Sequence, residues 1–203
     1  MELRDRLQVA RLYLVGDLAT LDRVLEPALE GGVDIVQARS QDPSPAALRA
    51  IRDRCRAAGA LFIVNDDPAL AAEIDADGVH VGQDDIGVAR ARDTVGAGRL
   101  IGLSTHSETQ IEDANGVDYI GVGPVWATPT KPSYAPVGLE LVRYAAAHAR
   151  VPFFAIGGID PGNATEVFAA GAHGISVVRA IGRAQDPRAA ATALREAASV
   201  VHA

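Results

Sequence analysis

Two pairs of adjacent aspartates, Asp66–Asp67 and Asp84–Asp85, each follow a short apolar run, one structural repeat apart. Carboxylates brought together this way attract a hard divalent cation. Magnesium suits them best, because it prefers oxygen ligands and completes its shell with water and phosphate oxygens. Helix capping is the competing use of the same residues. Asp66 or Asp67 before Pro68, and Asp84 or Asp85 before the next helical stretch, have the chemistry of an N-cap. Polar residues recur after other apolar runs. Gln37 and Arg39, Asn65, and the string Ser104-Thr105-His106 come first, followed by Thr128, Thr130 and Lys131, then Gly157-Gly158, then Arg179.

Each of these types has a plausible use and an ordinary one. Arg39 can hold two phosphate oxygens and Lys131 one, although a lone surface cation by default faces water. Asn65 and Gln37 offer amides suited to a heterocycle edge or a phosphate. Gly157-Gly158 lets backbone N–H groups approach an anion at the start of a helix, or simply makes a tight turn. Histidine is a common general base, but His106 has no companion nucleophile or ligand pair, so it reads as a structural hydrogen-bonder. His80, inside a strand, reads as a satisfied core residue, and Cys55 as packing on an apolar helix face.

Positioning these residues requires a repeated scaffold. Short β-type runs alternate with helical stretches eight times: 12–15, 35–38, 61–64, 78–81, 100–103, 119–122, 153–156 and 175–178. They are apolar on both faces, as buried parallel strands are. The stretch 45–58 puts Ala47, Leu48, Ile51 and Cys55 on one face and Arg49, Arg52 and Arg56 on another, the pattern of an outer helix. Ser44 with Pro45 would open it and Gly59 close it, while Gly171 closes the helix after Asn163. Eight βα units in 203 residues predict a single (β/α)8 TIM barrel spanning residues 1–203, rather than an open doubly wound sheet. In such a barrel the chemistry lies at the C-terminal ends of the strands. The proline-rich segment 126–136 is longer than an ordinary βα loop and is a lid candidate.

A net charge of −7 argues against nucleic acid and anionic membrane partners and leaves small anionic substrates open. One cysteine excludes an internal disulfide. With no signal-like start and no long apolar run, a cytoplasmic location is expected.

Taken in order, V-Q-A-R from Val36, V-N-D-D from Val64, A-D-G-V-H-V-G-Q-D-D from Ala76 and I-G-L-S-T-H-S from Ile101 form a specific series. It continues with D-Y-I-G-V-G-P-V-W-A-T-P-T-K from Asp118 and A-I-G-G-I from Ala155. The series resembles the thiamine-phosphate synthase family over nearly the whole chain. The resemblance implies a transferase that joins a hydroxymethylpyrimidine diphosphate to a thiazole phosphate with loss of pyrophosphate. Asp66 and Asp85 would bind Mg2+. Arg39, Asn65, Ser104 and Lys131 would contact the diphosphate, with Ser104 and Lys131 catalytic, and Gln37 would seat the pyrimidine. Thr128, Thr130, Gly158, Val178 and Arg179 would hold the thiazole phosphate. Two positions depart from the family pattern. Gln41 stands in the diphosphate region where a Lys is usual, and Arg179 stands in place of a small Ser. The related thiazole tautomerase lacks the metal carboxylates and the T-P-T-K run, and would make His106 catalytic. A non-catalytic phosphometabolite-binding barrel is the other rival, and a homo-oligomer is compatible with all of these.

Overall fold

The computed structural model describes residues 2–41, 43–128 and 135–200. Eight strands run in order: β1 (Leu12–Gly16), β2 (Ile35–Ala38), β3 (Leu61–Asn65), β4 (Gly78–Val81), β5 (Leu100–Thr105), β6 (Tyr119–Val122), β7 (Phe153–Ile156) and β8 (Gly174–Val177). Each is hydrogen-bonded to the next, and β8 returns to β1 in parallel with Leu12 opposite Ile175, closing the barrel. The expected closed (β/α)8 architecture is therefore the one found. Among the described residues ten helices accompany the strands: α1 (Leu3–Val9), α2 (Leu18–Glu30), α3 (Pro45–Ala57), α4 (Pro68–Glu73), α5 (Val88–Val95), α6 (Glu108–Glu112), α7 (Gly138–His148), α8 (Ala164–Ala169), α9 (Arg179–Gly182) and α10 (Pro187–Val200).

Four strands differ from the sequence expectation, the first being β1, which takes in Gly16. Strand β3 takes in Asn65, β5 takes in Ser104 and Thr105, and β8 starts and ends one residue early. In each case the parallel ladder, rather than the end of the apolar run, decides the boundary. Ser44 does occupy the N-cap of α3, but its side chain makes no capping bond, so Pro45 alone marks that start. Gly59 and Gly171 follow α3 and α8 with φ of 74° and 96°, the left-handed geometry a helix stop uses. Helix α1 was not foreseen. It lies across the N-terminal end of the barrel, with Arg4 bonded to Asp118 at 2.7 Å and Leu7 buried in the interior cluster with Leu61 and Leu100.

Alternation along the strands sorts their side chains into two layers. Leu12, Leu14, Val36, Phe62, Val64, Val79, Ile101 and Ile120 pack outward against the helices. Tyr13, Val15, Ile35, Leu61, Ile63, Leu100, Tyr119 and Phe154 fill the barrel itself. The same alternation carries Gln37, Asn65, His80, Ser104 and Ser176 inward above that apolar floor. Glycines make room for the large rings. A Cβ on Gly102 would collide with Tyr119 and His80, and one on Gly174 with Phe154. A glycine inside a strand thus marks a close approach.

Candidate active site

A cavity of about 410 Å3 opens at the C-terminal end of the barrel. Its wall includes Gln37, Arg39, Asn65, His80, Ser104, Thr128, Gly158, Val178 and Arg179. Eight of the expected site residues therefore converge, whereas Asp66 and Asp85 are not part of that wall. Thr130 and Lys131 lie outside the described residues, as does most of the lid candidate. The base of that segment is anchored, with Val137 N–H donating to Pro124 O at 2.8 Å and Gly138 N–H to Val125 O at 3.0 Å. Gln41 is exposed and is not part of the cavity wall.

The two aspartate runs divide their labour. Asp67 caps α4, accepting from Leu70 N–H at 2.9 Å. Asp66 is left to the site. It adopts φ 60°, a left-handed conformation that Asp tolerates better than most residues, and its backbone N–H donates to His80 O at 2.8 Å. Its side chain meets Asp85 carboxyl to carboxyl, with the Asn65 amide donating to it. Burial first, then the hydrogen bond with Asp85 and the proximity of that charge, push the Asp66 carboxyl up to about 6, against opposing pulls from Asn65 and Arg39. Asp85 also accepts from Gly82 N–H at 2.6 Å, which fixes the β4–α5 turn. Helix α5 has Gly87 at its N-cap, so neither Asp84 nor Asp85 caps it.

This donor set fits a hard dication. Two oxygen-bearing side chains face one another and repel when both are ionised, a conflict that a divalent ion removes. Among the described residues no group of three or more His, Cys, Asp or Glu converges. Two carboxylates with the remaining positions left to water and phosphate is how magnesium is commonly held beside a phosphorylated substrate.

Cationic groups suited to phosphate face the same space. Arg39, Arg179 and Arg183 line the cavity, and among the described residues none of the three forms an ion pair. Arg179, the departure from the family pattern, borders the site rather than turning away from it. Arg183, just beyond α9, was missed from the sequence because nothing in its neighbourhood resembles a motif. Gly157 and Gly158 have φ of 105° and 69°, and a Cβ on either would press on Pro124 or Trp126. The pair is required to keep these two loops in contact, as Trp126 N–H donating to Gly157 O at 3.0 Å also shows. Gln37 is 4% exposed, and its Nε2 has no hydrogen-bond partner among the described residues. A buried amide donor facing a cavity is poised for a ligand acceptor.

Two histidines border the site, and both are held by hydrogen bonds. His106 pairs through Nδ1 with Gly123 O at 2.5 Å and receives the Gln110 side chain on its backbone N–H at 2.7 Å. His80 is held on both sides, Nδ1 to the Tyr119 hydroxyl at 3.2 Å and Nε2 to Ser104 Oγ at 3.0 Å. It borders the cavity as well as the core. The Tyr119 hydroxyl continues to that of Tyr13 at 2.9 Å. Burial raises both phenols above their ordinary range, so they stay protonated. Cys55 is buried in the outer layer, and burial pushes its thiol up to about 12, consistent with a packing role.

A closed parallel barrel whose C-terminal mouth combines paired carboxylates, arginines outside any ion pair and a glycine turn has the form of a barrel enzyme with a mouth suited to phosphate groups. The residues 12–181 match the family model described as thiamine monophosphate synthase, and the chain belongs to that family. It is 51% identical over 193 residues to thiamine-phosphate synthase of Gloeobacter violaceus, covering 92% of this chain and 57% of that relative. It is 48% identical over 200 residues to thiamine-phosphate synthase of Streptomyces avermitilis, covering 93% of both. A solved thiamine phosphate pyrophosphorylase from Pyrococcus furiosus superposes with a TM-score of 0.88 at 32% identity over the full length of both chains. No helix among the described residues is long and apolar enough to cross a membrane.

Proposed function

We propose that the chain is a thiamine-phosphate synthase: it joins 4-amino-2-methyl-5-hydroxymethylpyrimidine diphosphate to 4-methyl-5-hydroxyethylthiazole phosphate, giving thiamine phosphate and pyrophosphate. The observation that carries this reading is the Asp66–Asp85 carboxylate pair beside a cavity lined by Arg39, Asn65 and Ser104. Bound by Asp66 and Asp85, Mg2+ would neutralise diphosphate charge and so make pyrophosphate a better leaving group.

The protein side of the reaction is mainly electrostatic. The bond between the pyrimidine methylene and the diphosphate oxygen breaks, and the thiazole nitrogen supplies the electron pair for the new C–N bond. No proton has to be removed for that exchange, which agrees with a site where both cavity histidines are tied into hydrogen bonds. Arg39, Asn65 and Ser104 would hold the departing diphosphate, with Lys131 as a further cation. Fixed donors of this kind stabilise charge as it develops. The unpaired Gln37 amide would orient the pyrimidine. At the other side of the cavity the Gly157-Gly158 turn, the backbone at Val178 and the Arg179 and Arg183 guanidiniums would take the thiazole phosphate, with Thr128 and Thr130 beside it. The departure at position 41 removes one diphosphate cation, and the two arginines at 179 and 183 add charge on the opposite side. The reaction is expected to proceed in the cytoplasm, where Cys55 stays reduced.

Pyrophosphate release on mixing both substrates with magnesium tests the assignment. Release that requires both substrates and the metal is expected. Binding of either substrate without turnover would identify a phosphometabolite-binding barrel instead, and conversion of a thiazole tautomer alone would identify the tautomerase.

A further inference from the structure

The barrel interior holds an unbroken chain of polar contacts that ends at the diphosphate side of the site: Tyr13 hydroxyl to Tyr119 hydroxyl at 2.9 Å, Tyr119 hydroxyl to His80 Nδ1 at 3.2 Å, and His80 Nε2 to Ser104 Oγ at 3.0 Å. Each link could in principle run in either direction, because both hydroxyls and both ring nitrogens can donate or accept. The burial of one end decides between them. Tyr13 is 3% exposed, and among the described residues its hydroxyl bonds only to Tyr119. If Tyr119 donated to Tyr13, the Tyr13 proton would have no acceptor among the described residues, and a buried unpaired donor is an expensive arrangement. Tyr13 therefore donates to Tyr119. The Tyr119 proton is then directed to His80 Nδ1, which must be the bare nitrogen of the ring.

From this geometry we infer that Tyr119 fixes His80 as the Nε2–H tautomer, so that His80 donates to Ser104 Oγ and turns the Ser104 hydroxyl proton toward the departing diphosphate. The inference deepens the synthase reading and rests on it for the identity of the acceptor. In the opposite tautomer Ser104 would spend its single proton on Nε2 and could offer the leaving group only lone pairs. Tyr119 and His80 are thus positioning residues acting through Ser104. Gly102 belongs to the same device, because only the absence of a Cβ there lets the Tyr119 ring and the imidazole meet. The Tyr119 ring is also clamped edge-on by Phe154, with centroids 5.8 Å apart at 90°, which holds its hydroxyl in line.

The tautomer is readable in the intact protein by 15N NMR after histidine labelling. The His80 signals are assigned among the five histidines by their loss in His80→Gln. A pyrrole-type Nε2 and a pyridine-type Nδ1 are expected in the wild type, and the reverse pattern overturns the inference without any variant having to fold. In Tyr119→Phe the ring is kept and the directing hydroxyl removed. Both tautomers should then be populated and kcat should fall about three- to tenfold, the worth of one ordinary hydrogen bond, with little change in either KM. On a Ser104→Ala background the same substitution should add no further loss. Independent, additive losses would show that Tyr119 acts on packing alone. Tyr13→Phe should retain the Nε2–H pattern, because among the described residues Tyr119 still has His80 to donate to, whereas a general packing role would make the two phenylalanine variants alike. Failure of the wild type to release pyrophosphate would remove the synthase reading and leave the spectroscopic result standing by itself.

Discussion

Protons and the divalent cation should compete for the Asp66–Asp85 pair. Binding of a cation needs the ionised carboxylate, and Asp66 holds its proton up to about pH 6. From that value, about one molecule in ten has Asp66 ionised at pH 5, about half at pH 6 and about nine in ten at pH 7. Apparent cation affinity should therefore rise about tenfold between pH 5 and pH 7 and level off above that. The linkage to stability has the opposite sign from that of a salt-bridged aspartate. The folded pKa lies above the ordinary 3.8, so proton binding favours the fold. That contribution is complete below about pH 4 and is lost as pH rises through about 6. Added cation takes over the role of the proton, so its effect on the thermal midpoint should be larger at pH 7 than at pH 5. The clean assay is titration of the free protein with Mn2+ by electron paramagnetic resonance. Diphosphate substrate is omitted because phosphate itself titrates near 6. Asp85→Asn removes the second and third causes of the shift and leaves burial, so Asp66 should titrate lower than about 6 and still above 3.8. Cation affinity that is flat from pH 5 to pH 7 would refute the competition. An Asp66 titration that does not move in Asp85→Asn would show that the two side chains do not interact.

Other substitutions separate neighbouring roles. Asp67→Ala should cost about 0.5–2 kcal/mol of stability through the lost cap on α4 and leave Mn2+ affinity as it was, which denaturant titration and the resonance assay read separately. Gly102→Ala forces a Cβ into Tyr119 and His80 and should cost about 1–3 kcal/mol. Calorimetry should show the midpoint falling by about 2–4 °C for each kcal/mol, and an unchanged midpoint would mean the barrel interior is looser than its contacts indicate. Arg183→Ala should raise KM for the thiazole phosphate more than for the pyrimidine diphosphate in initial rates of pyrophosphate release. Equal effects on both would detach Arg183 from the thiazole side.

The scaffold was legible because a (β/α)8 barrel repeats its signal. Each apolar run followed by an amphipathic stretch marks one unit, and eight units leave little besides closure. The site was partly legible for the same reason, since residues just past a run fall at the C-terminal mouth. That rule found Arg39, Asp66 and Arg179, and keeping both uses open for the aspartates suits what is seen, because Asp67 caps α4 while Asp66 is left facing Asp85. It gave no site role to His80, Tyr119 or Ser176, which lie inside the runs. Strands buried on both faces show little hydrophobic alternation, so nothing in the local pattern said that His80, Tyr119 and Ser176 point into the lumen while Val79 and Ile120 point out. The available signal was indirect: Gly102 interrupts an otherwise bulky strand at the position where His80 and Tyr119 need space. Arg183 had no such marker. It reaches the cavity because the short α9 turns the chain back over the mouth, a consequence of tertiary geometry alone.

Layering inside the barrel explains how a polar site and a stable interior share one lumen. Toward the N-terminal end the cluster of Leu7, Ile35, Leu61 and Leu100 is apolar. Toward the mouth the same strands supply Gln37, Asn65, Ser104 and Ser176. Tyr13 and Tyr119 stand at the boundary, and their amphipathic shape suits it: the rings pack with Phe154 in edge-to-face contacts, while the hydroxyls bond to each other and to His80. A phenylalanine at either position would fill the same volume and preserve the packing, so packing alone does not call for the hydroxyls. Their retention in the core makes sense if the polar chain has a direction to transmit. Ser104 carries that chain to a cavity that Arg39, Arg179 and Arg183 also line.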